Sequence, residues 1–327
     1  MIKAATTLGI LALSSALLPA AHAQPGGAAW PARPLKMVVP YPPGGNTDAI
    51  ARFVAQPMSK ALGQPVLVEN RPGANGVIAV DAVAHAPADG YTLLLAPVTQ
   101  LAIVPRLMKT NYDPATDFAP ISIVATNPFV LTVGAAFPAK TLAEFVEYAR
   151  SRKGALQYAS SGEGSLPHLT GVQLFSRAGV ELTHVPYKGN AQIMADVLGG
   201  HVPAYFANLS EVLPHANKGT LRFLAQTGET RAPQLPDVPT IAEQGYPGFR
   251  SLTWNGLLAP TGTPQAVVDR LAGLVAAATH DPEIAGRMQA AGLIPVGDTP
   301  SQFAETLRAD LKSWAKTVKL FGARLAD

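Results

Sequence analysis

Apolar and polar positions along the chain form two recurring patterns, short apolar runs and segments with helical spacing. Leu35, Met37, Val38 and Val39 make up one apolar run, which is typical of a buried parallel strand. From Thr47 onward the apolar residues recur at helical intervals. Runs and helical segments continue to alternate, and this order predicts an α/β fold with mainly parallel sheets and right-handed crossovers. The main later strands are predicted at 66–68, 91–95, 121–133, 156–159, 183–187, 202–207, 221–226 and 257–259.

Helix boundaries and inward faces follow from the same pattern. Thr299, Pro300 and Gln302 form a capping box with proline at the first helical position, so the last long helix should begin there. The short helix after residue 76 is expected to turn Ile78, Ala82 and Val83 inward.

The loop at residues 40–48 (PYPPGGNTD) joins the first strand to the first helix. Its glycines allow backbone conformations that a Cβ would block. Asn46 or Thr47 can cap the helix, and Asp48 lies in its first turn, where it should brace the loop. N–H groups at a helix start bind anions without a cationic side chain, so the loop predicts an anion site; a tight turn that binds nothing is the alternative. The candidate ligand-binding residues here are Tyr41, Pro43, Gly44, Gly45, Asn46, Thr47 and Asp48.

Residues 160–165 (SSGEGS) form a second loop of small residues, again between a predicted strand and the start of a predicted helix. Two such loops suggest two α/β lobes that present backbone donors to one cleft. Two roles are possible for His168: a structural clamp of this loop or a contact with the ligand. Asn208 is a polar residue at the end of a predicted strand. It could line the cleft or form structural hydrogen bonds. The further candidate ligand-binding residues are therefore Thr99, Ser160, Ser161, Gly162, Glu163, Ser165, His168 and Asn208, while Lys188 ranks low and Trp254 is expected to pack in the core.

Composition removes several classes of function. The chain has no cysteine, which excludes disulfides, thiol catalysis and cysteine-based metal sites. Its histidines show no metal-ligand spacing, and there is no P-loop, no GxGxxG fingerprint and no GxSxG elbow, so we expect no metal, no cofactor and no catalytic residue. A formal net charge of +3, without a long basic run, argues against nucleic acid as a partner.

The first 23 residues have the features of a signal peptide. Lys3 is the positive region, residues 8–18 are an apolar run, and Ala21-His22-Ala23 has the form of a cleavage site. We expect cleavage before Gln24 and release of a soluble protein, with an uncleaved anchor as the alternative.

Several short motifs together resemble the Bug family of periplasmic substrate-binding proteins of the tripartite tricarboxylate transporter type. The likeness covers nearly the whole mature chain, and the combination is specific although each piece alone is weak. The motifs are Pro40-Tyr41-Pro42-Pro43-Gly44-Gly45-x-x-Asp48, Gly63-Gln64-Pro65, Glu69-Asn70-Arg71-Pro72-Gly73, Asp89-Gly90-Tyr91, Tyr158-Ala159-Ser160-Ser161-Gly162, Pro167-His168-Leu169, Val185-Pro186-Tyr187-Lys188-Gly189, Pro236-Asp237-Val238-Pro239-Thr240 and Leu258-Ala259-Pro260-x-Gly262-Thr263-Pro264.

The resemblance implies a periplasmic protein with a two-lobed Venus-flytrap fold. Residues 31–127 and 251–327 would form lobe 1, and residues 128–250 would form lobe 2. A small organic carboxylate would be held in the cleft by backbone amides of the two loops with ordered water. The implied partners are two integral membrane transporter proteins, and a monomer is expected. An exported hydrolase and a ligand-loaded sensor that docks on a membrane signalling protein are the alternative functions.

The chain departs from the family pattern at a few positions that bear on the ligand. Ala207 replaces a usual acidic residue, and Leu101 and Val104 replace a frequent His and Asn. Glu163 stands where a neutral polar residue is common. Two interpretations of Glu163 stay open. Either it points to solvent or pairs with a basic residue, or it faces the cleft, where it would disfavour di- and tricarboxylates and favour a monocarboxylate, for example one with an amino or ring-nitrogen group.

Overall fold

In the computed structural model, the described residues are Met1, 30–187 and 190–325. The predicted signal-peptide cleavage site and Lys188 lie outside them. The first strands and helices, with the long strand that follows them, are β1 (Leu35–Val39), α1 (Asn46–Leu62), β2 (Val66–Asn70), α2 (Val77–Ala84), β3 (Thr92–Pro97), α3 (Val104–Leu107) and β4 (Phe118–Gly134). A single turn of π-helix, Thr99–Ile103, connects β3 to α3.

The remaining elements continue the alternation before the chain ends in three helices. They are α4 (Leu142–Arg152), β5 (Gly154–Ser160), α5 (Leu166–Ala178), β6 (Leu182–Pro186), α6 (Asn190–Gly199), β7 (Ala204–Asn208), α7 (Leu209–Val212), β8 (Leu221–Gln226), β9 (Leu252–Pro260), α8 (Gln265–His280), α9 (Pro282–Ala290), β10 (Ile294–Pro295) and α10 (Pro300–Leu325). The expected α/β class is therefore confirmed.

The strands have the order β2-β1-β3-β9-β4-β7-β5-β6, with β8 and β10 also paired to β4. β1 is parallel to β2 and β3, and β5 is parallel to β6 and β7, as the alternation with helices predicts. β4 and β9 add antiparallel pairs, which the sequence had not indicated. The sheet is thus mixed where the two groups of parallel strands are joined.

The long strand β4 belongs to both halves of the sheet. It pairs with β9 as far as Pro128 and with β7 from Phe129 onward. The change of partner lies beside the lobe boundary expected between residues 127 and 128; the assignment of residues to lobes stays a prediction.

The closing helices pack on the sheet through the apolar faces that the sequence indicates. In α10, Phe303 is fully buried, and its ring packs directly on Gly256 of β9. A Cβ added to Gly256 would lie only 2.2 Å from the Phe303 ring. Trp254 of β9 is fully buried, as expected, and donates its indole N–H to Asp310 of α10 at 2.6 Å. Thr299 and Gln302 form the predicted capping box.

One inward assignment was wrong. Val83 of α2 is buried, but Ile78 is 53% exposed. Its side chain lies over the turn before α2, where its Cδ1 is 2.7 Å from the position that a Cβ on Gly73 would take. The residue therefore covers a loop and not the core.

Candidate functional site

A cavity of about 760 Å³ lies between the two small-residue loops. Most of the candidate residues line it, whereas Asp48, Ser160, Gly162 and His168 do not. The candidates on its wall are Tyr41, Pro43, Gly44, Gly45, Asn46, Thr47, Thr99, Ser161, Glu163, Ser165 and Asn208. The structure thus brings residues from both loops to one space.

The first turn of α1 forms one end of the cavity. Its N-cap is Gly45, in an extended conformation and without a side-chain hydrogen bond, so the expectation that Asn46 or Thr47 caps the helix was wrong. Both are already helical, and neither side chain folds back over the helix end. Among the described residues, no acceptor is found for the N–H groups of Gly45, Asn46 and Thr47. These three donors remain for a bound anion or water.

Asp48 braces this loop from behind. Its carboxylate accepts hydrogen bonds from the Gly44 N–H at 2.9 Å, from Arg52 at 2.9 and 3.0 Å, and from the Asn70 amide at 3.0 Å. The Arg52 guanidinium is the largest cause that lowers the pKa of Asp48 to about 2. Asp48 thus braces the loop as expected and, although it was also a candidate ligand-binding residue, it does not line the cavity; the Gly44 N–H is already bonded to it. Gly44 itself, at φ +85°, adopts a conformation that side chains disfavour.

Tyr41 and Gln100 form a polar pair on the same wall, and sequence reasoning missed Gln100. The Gln100 amide nitrogen donates to the Tyr41 hydroxyl at 2.7 Å and to the Asn75 carbonyl at 3.1 Å. Because that carbonyl can only accept, the orientation of the amide is fixed. The Tyr41 hydroxyl accepts from Gln100, so its own proton remains for an acceptor in the cavity. Burial raises the pKa of Tyr41, which keeps it a donor. The available signal was that Gln100 is polar and lies between the candidate Thr99 and the apolar run 101–104.

The second loop is held by Ser160, which is fully buried beneath it. Its hydroxyl lies 2.6 Å from the His184 Nε2, 2.9 Å from the Gly162 carbonyl oxygen and 3.1 Å from the Ser165 hydroxyl. Ser165 is also the N-cap of α5. This network fixes the turn that presents Ser161 and Glu163 to the cavity.

His168 is a clamp of this loop. Its Nδ1 accepts the Gly164 N–H at 3.0 Å, and its ring stacks on His184 with centroids 3.6 Å apart. Burial lowers the pKa of His184 to about 4, so this ring is neutral at neutral pH. Because Ser160 has no exposed surface and lies off the cavity, its contact with His184 is structural.

Asn208 fulfils both of its possible roles. It lines the cavity, and its side-chain amide donates to Glu211 at 2.9 Å, while Glu211 also accepts the Asn208 backbone N–H at 3.2 Å. Helix α7 therefore holds Asn208 at the end of β7.

Among the described residues of the cavity wall, one side chain is charged. Glu163 is exposed and lines the cavity, and none of the other described lining residues is charged or a histidine. Nor does any described side chain form an ion pair or hydrogen bond with Glu163. The structure thus places Glu163 at the cleft; its effect on ligand choice stays a prediction.

An apolar wall faces these polar groups. It includes Ile103, Val104 and Leu107 from one half, with Phe129 and Leu166 from the other. The two halves meet where Leu107 approaches Gly164. A Cβ added to Gly164 would lie 2.9 Å from the Leu107 Cδ1. The described lining residues therefore combine backbone donors, an apolar surface and one carboxylate, that of Glu163.

Two further findings concern the described residues alone. They contain no group of three or more histidine, aspartate or glutamate side chains arranged to hold a metal ion. None of their helices has both the length and the apolar composition needed to cross a membrane.

Two halves of an α/β sheet around a donor-lined cavity define a two-lobed binding protein. The model of the family described as "Tripartite tricarboxylate transporter family receptor" matches residues 50–322, and this chain belongs to that family. Its α/β two-lobed periplasmic-binding-protein fold and the predicted Bug relationship are confirmed. The family consists of substrate-binding receptors, so the hydrolase alternative is wrong.

Solved structures of three relatives support this assignment. The periplasmic binding protein BugD is 36% identical, with a TM-score of 0.72 over 90% of this chain and 99% of that one. Rpa4515 of R. palustris, solved with adipate, is 37% identical, with a TM-score of 0.76 over 90% and 98%. MatC from Rhodopseudomonas palustris, solved with bound malate, is 32% identical, with a TM-score of 0.72 over 88% and 100%.

The Asp48 brace yields a prediction about stability. The folded pKa of Asp48 is depressed from 3.8 to about 2, so its stabilisation is present above pH 4 and is lost as the pH falls toward 2. Replacing Asp48 by Asn should lower the unfolding free energy at pH 7 by about 2 kcal/mol, and the difference from wild type should shrink between pH 4 and pH 2.

Urea titrations at several pH values measure this difference. Asp269→Asn, an exposed change in α8, is the matched control and should leave the unfolding free energy nearly unchanged. A difference for Asp48→Asn that is the same at every pH would show that the carboxylate charge does not brace the loop.

Proposed function

We propose that this protein is a periplasmic receptor that captures a small organic carboxylate in the cavity and delivers it to a tripartite tricarboxylate-type membrane transporter. The observation that carries the proposal is the first turn of α1, where the N–H groups of Gly45, Asn46 and Thr47 have no acceptor among the described residues. Adipate and malate, bound by two relatives, are both carboxylates.

The chemistry of the donors fits a carboxylate better than a neutral ligand. The three N–H groups stand at the positive end of a 17-residue helix, where negative charge is stabilised. The Tyr41 hydroxyl adds a donor on the same wall. A carboxylate oxygen can accept several such hydrogen bonds, and each bond to a charged group contributes about 1.5–3 kcal/mol.

The binding step is tested by thermal unfolding with a panel of mono-, di- and tricarboxylates. A ligand that binds the folded state alone should stabilise it by about 2.7 kcal/mol at a hundredfold excess over Kd, which raises Tm. Each mixture is also analysed for products. Stabilisation by at least one acid without turnover is expected, and stabilisation by no carboxylate would contradict the proposal.

Replacing Gly45 by Val tests the opening loop. Gly45 is at φ −81°, and a Cβ there meets only the Pro42 carbonyl at an ordinary 3.7 Å, so the variant should fold. Its branched side chain would obstruct the approach of a carboxylate to the helix start. We expect the affinity for the tightest-binding acid of the panel to fall at least about tenfold, because the ligand would lose one hydrogen bond.

Calorimetric titration measures that loss. Gly273→Val, on the exposed face of α8, is the control for a general effect of the substitution. Unchanged affinity in a folded Gly45→Val protein would mean that the loop has only a structural role.

Export is a separate part of the proposal. The apolar run and the Ala21-His22-Ala23 sequence support cleavage before Gln24. The periplasmic fraction should contain a chain that begins at or near Gln24, as intact-mass measurement would show. An exported pool that retains residues 1–23 would contradict the cleavage site.

A further inference from the structure

We infer that the cavity selects a monocarboxylate with an apolar body and a positively charged nitrogen group, and that Glu163 is the residue that imposes this choice. The inference rests on the proposed function, since it assumes that one carboxylate is held at the start of α1. It concerns the other end of the same ligand.

The charges of the described cavity wall disfavour a second carboxylate on the ligand. A carboxylate at α1 is met by backbone donors and a tyrosine hydroxyl, without a cationic side chain among the described lining residues. A second carboxylate on the ligand would therefore find no counter-charge there. It would instead share the cavity with Glu163, and like charges in a confined site repel.

Distance makes this repulsion significant. A sphere with the cavity's volume of about 760 Å³ would be about 11 Å across, comparable to the Debye length of ~8–10 Å, so a charge within such a space is only partly screened from Glu163. Ile103 and Phe129 on the same wall add low-dielectric surface, which strengthens the repulsion. The effect of Glu163 should therefore exceed that of an ordinary surface carboxylate.

The acceptors on the wall favour a ligand with N–H groups. Glu163 has no hydrogen-bond or ion-pair partner in the described part of the chain. An ammonium or ring N–H would offset the Glu163 charge and donate to its carboxylate oxygens.

The apolar wall sets the body of the ligand. Ile103, Val104, Leu107, Phe129 and Leu166 offer contact to methylene groups or a ring. Each buried methylene contributes about 0.8 kcal/mol in transfer from water. An unbranched or cyclic hydrocarbon body therefore gains affinity from this part of the wall.

The test uses two matched series of acids with the same carbon frame. Hexanoate, adipate and 6-aminohexanoate differ only in a neutral, negative or positive far end. 4-Methylbenzoate, terephthalate and 4-(aminomethyl)benzoate provide the ring counterpart. Each acid is titrated by calorimetry into wild type, Glu163→Gln and Glu181→Gln. Glu181 is an exposed carboxylate off the described cavity wall, so its variant controls for net charge.

Wild type should bind the amino acid of at least one series about tenfold or more tightly than its dicarboxylate. Glu163→Gln should reduce that ratio about tenfold, mainly through tighter binding of the dicarboxylate. Glu181→Gln should leave the ratio unchanged.

The outcomes separate this inference from the proposed function. If wild type binds a dicarboxylate most tightly, or if Glu163→Gln moves all affinities together or not at all, the inference is overturned while the receptor function stands. If no acid of either series, and no carboxylate of the wider panel, binds wild type, the proposed function itself falls and the inference with it.

Discussion

Unsatisfied backbone donors at the start of α1 are the constraint on which the account of this protein depends. A helix leaves its first N–H groups without partners, and most helices supply a side-chain cap. Here Gly45 is the N-cap and offers none, so the N–H groups of Gly45, Asn46 and Thr47 have no acceptor among the described residues. An anion placed in the cavity supplies what the helix lacks, and the family of receptors to which the chain belongs fits that use.

Both loops are held by groups that do not line the cavity. Asp48 fixes the first through Gly44, Arg52 and Asn70, and the Ser160–His184 contact with the His168 clamp fixes the second. This division preserves free donors on the inside, because the bracing hydrogen bonds are made from behind. Preorganised donors bind without the cost of ordering a loop at the moment of binding.

Much of the fold could be predicted from local signals, since β1, α1 and the capping box at Thr299 each depend on neighbouring residues. The pairing of β4 with both halves of the sheet could not, because its partners β7 and β9 are far away in the sequence and long-range partner choice leaves no local pattern. In the site, the loop backbones were predictable from their glycines and helix starts. The bracing role of Asp48 was predicted as well, whereas the role of His168 depended on which way its side chain turns, and Gln100 gave no signal beyond its polarity.

The central claim is that backbone N–H groups at the start of α1 hold the carboxylate. Amide proton NMR of deuterated protein tests it directly, with the tightest-binding carboxylate titrated in. The amide protons of Gly45, Asn46 and Thr47 should move downfield on binding as they gain a charged acceptor, whereas that of Gly44, already bonded to Asp48, should move little. Saturation of the protein with ligand while the three amide protons keep their free-state shifts would contradict the account.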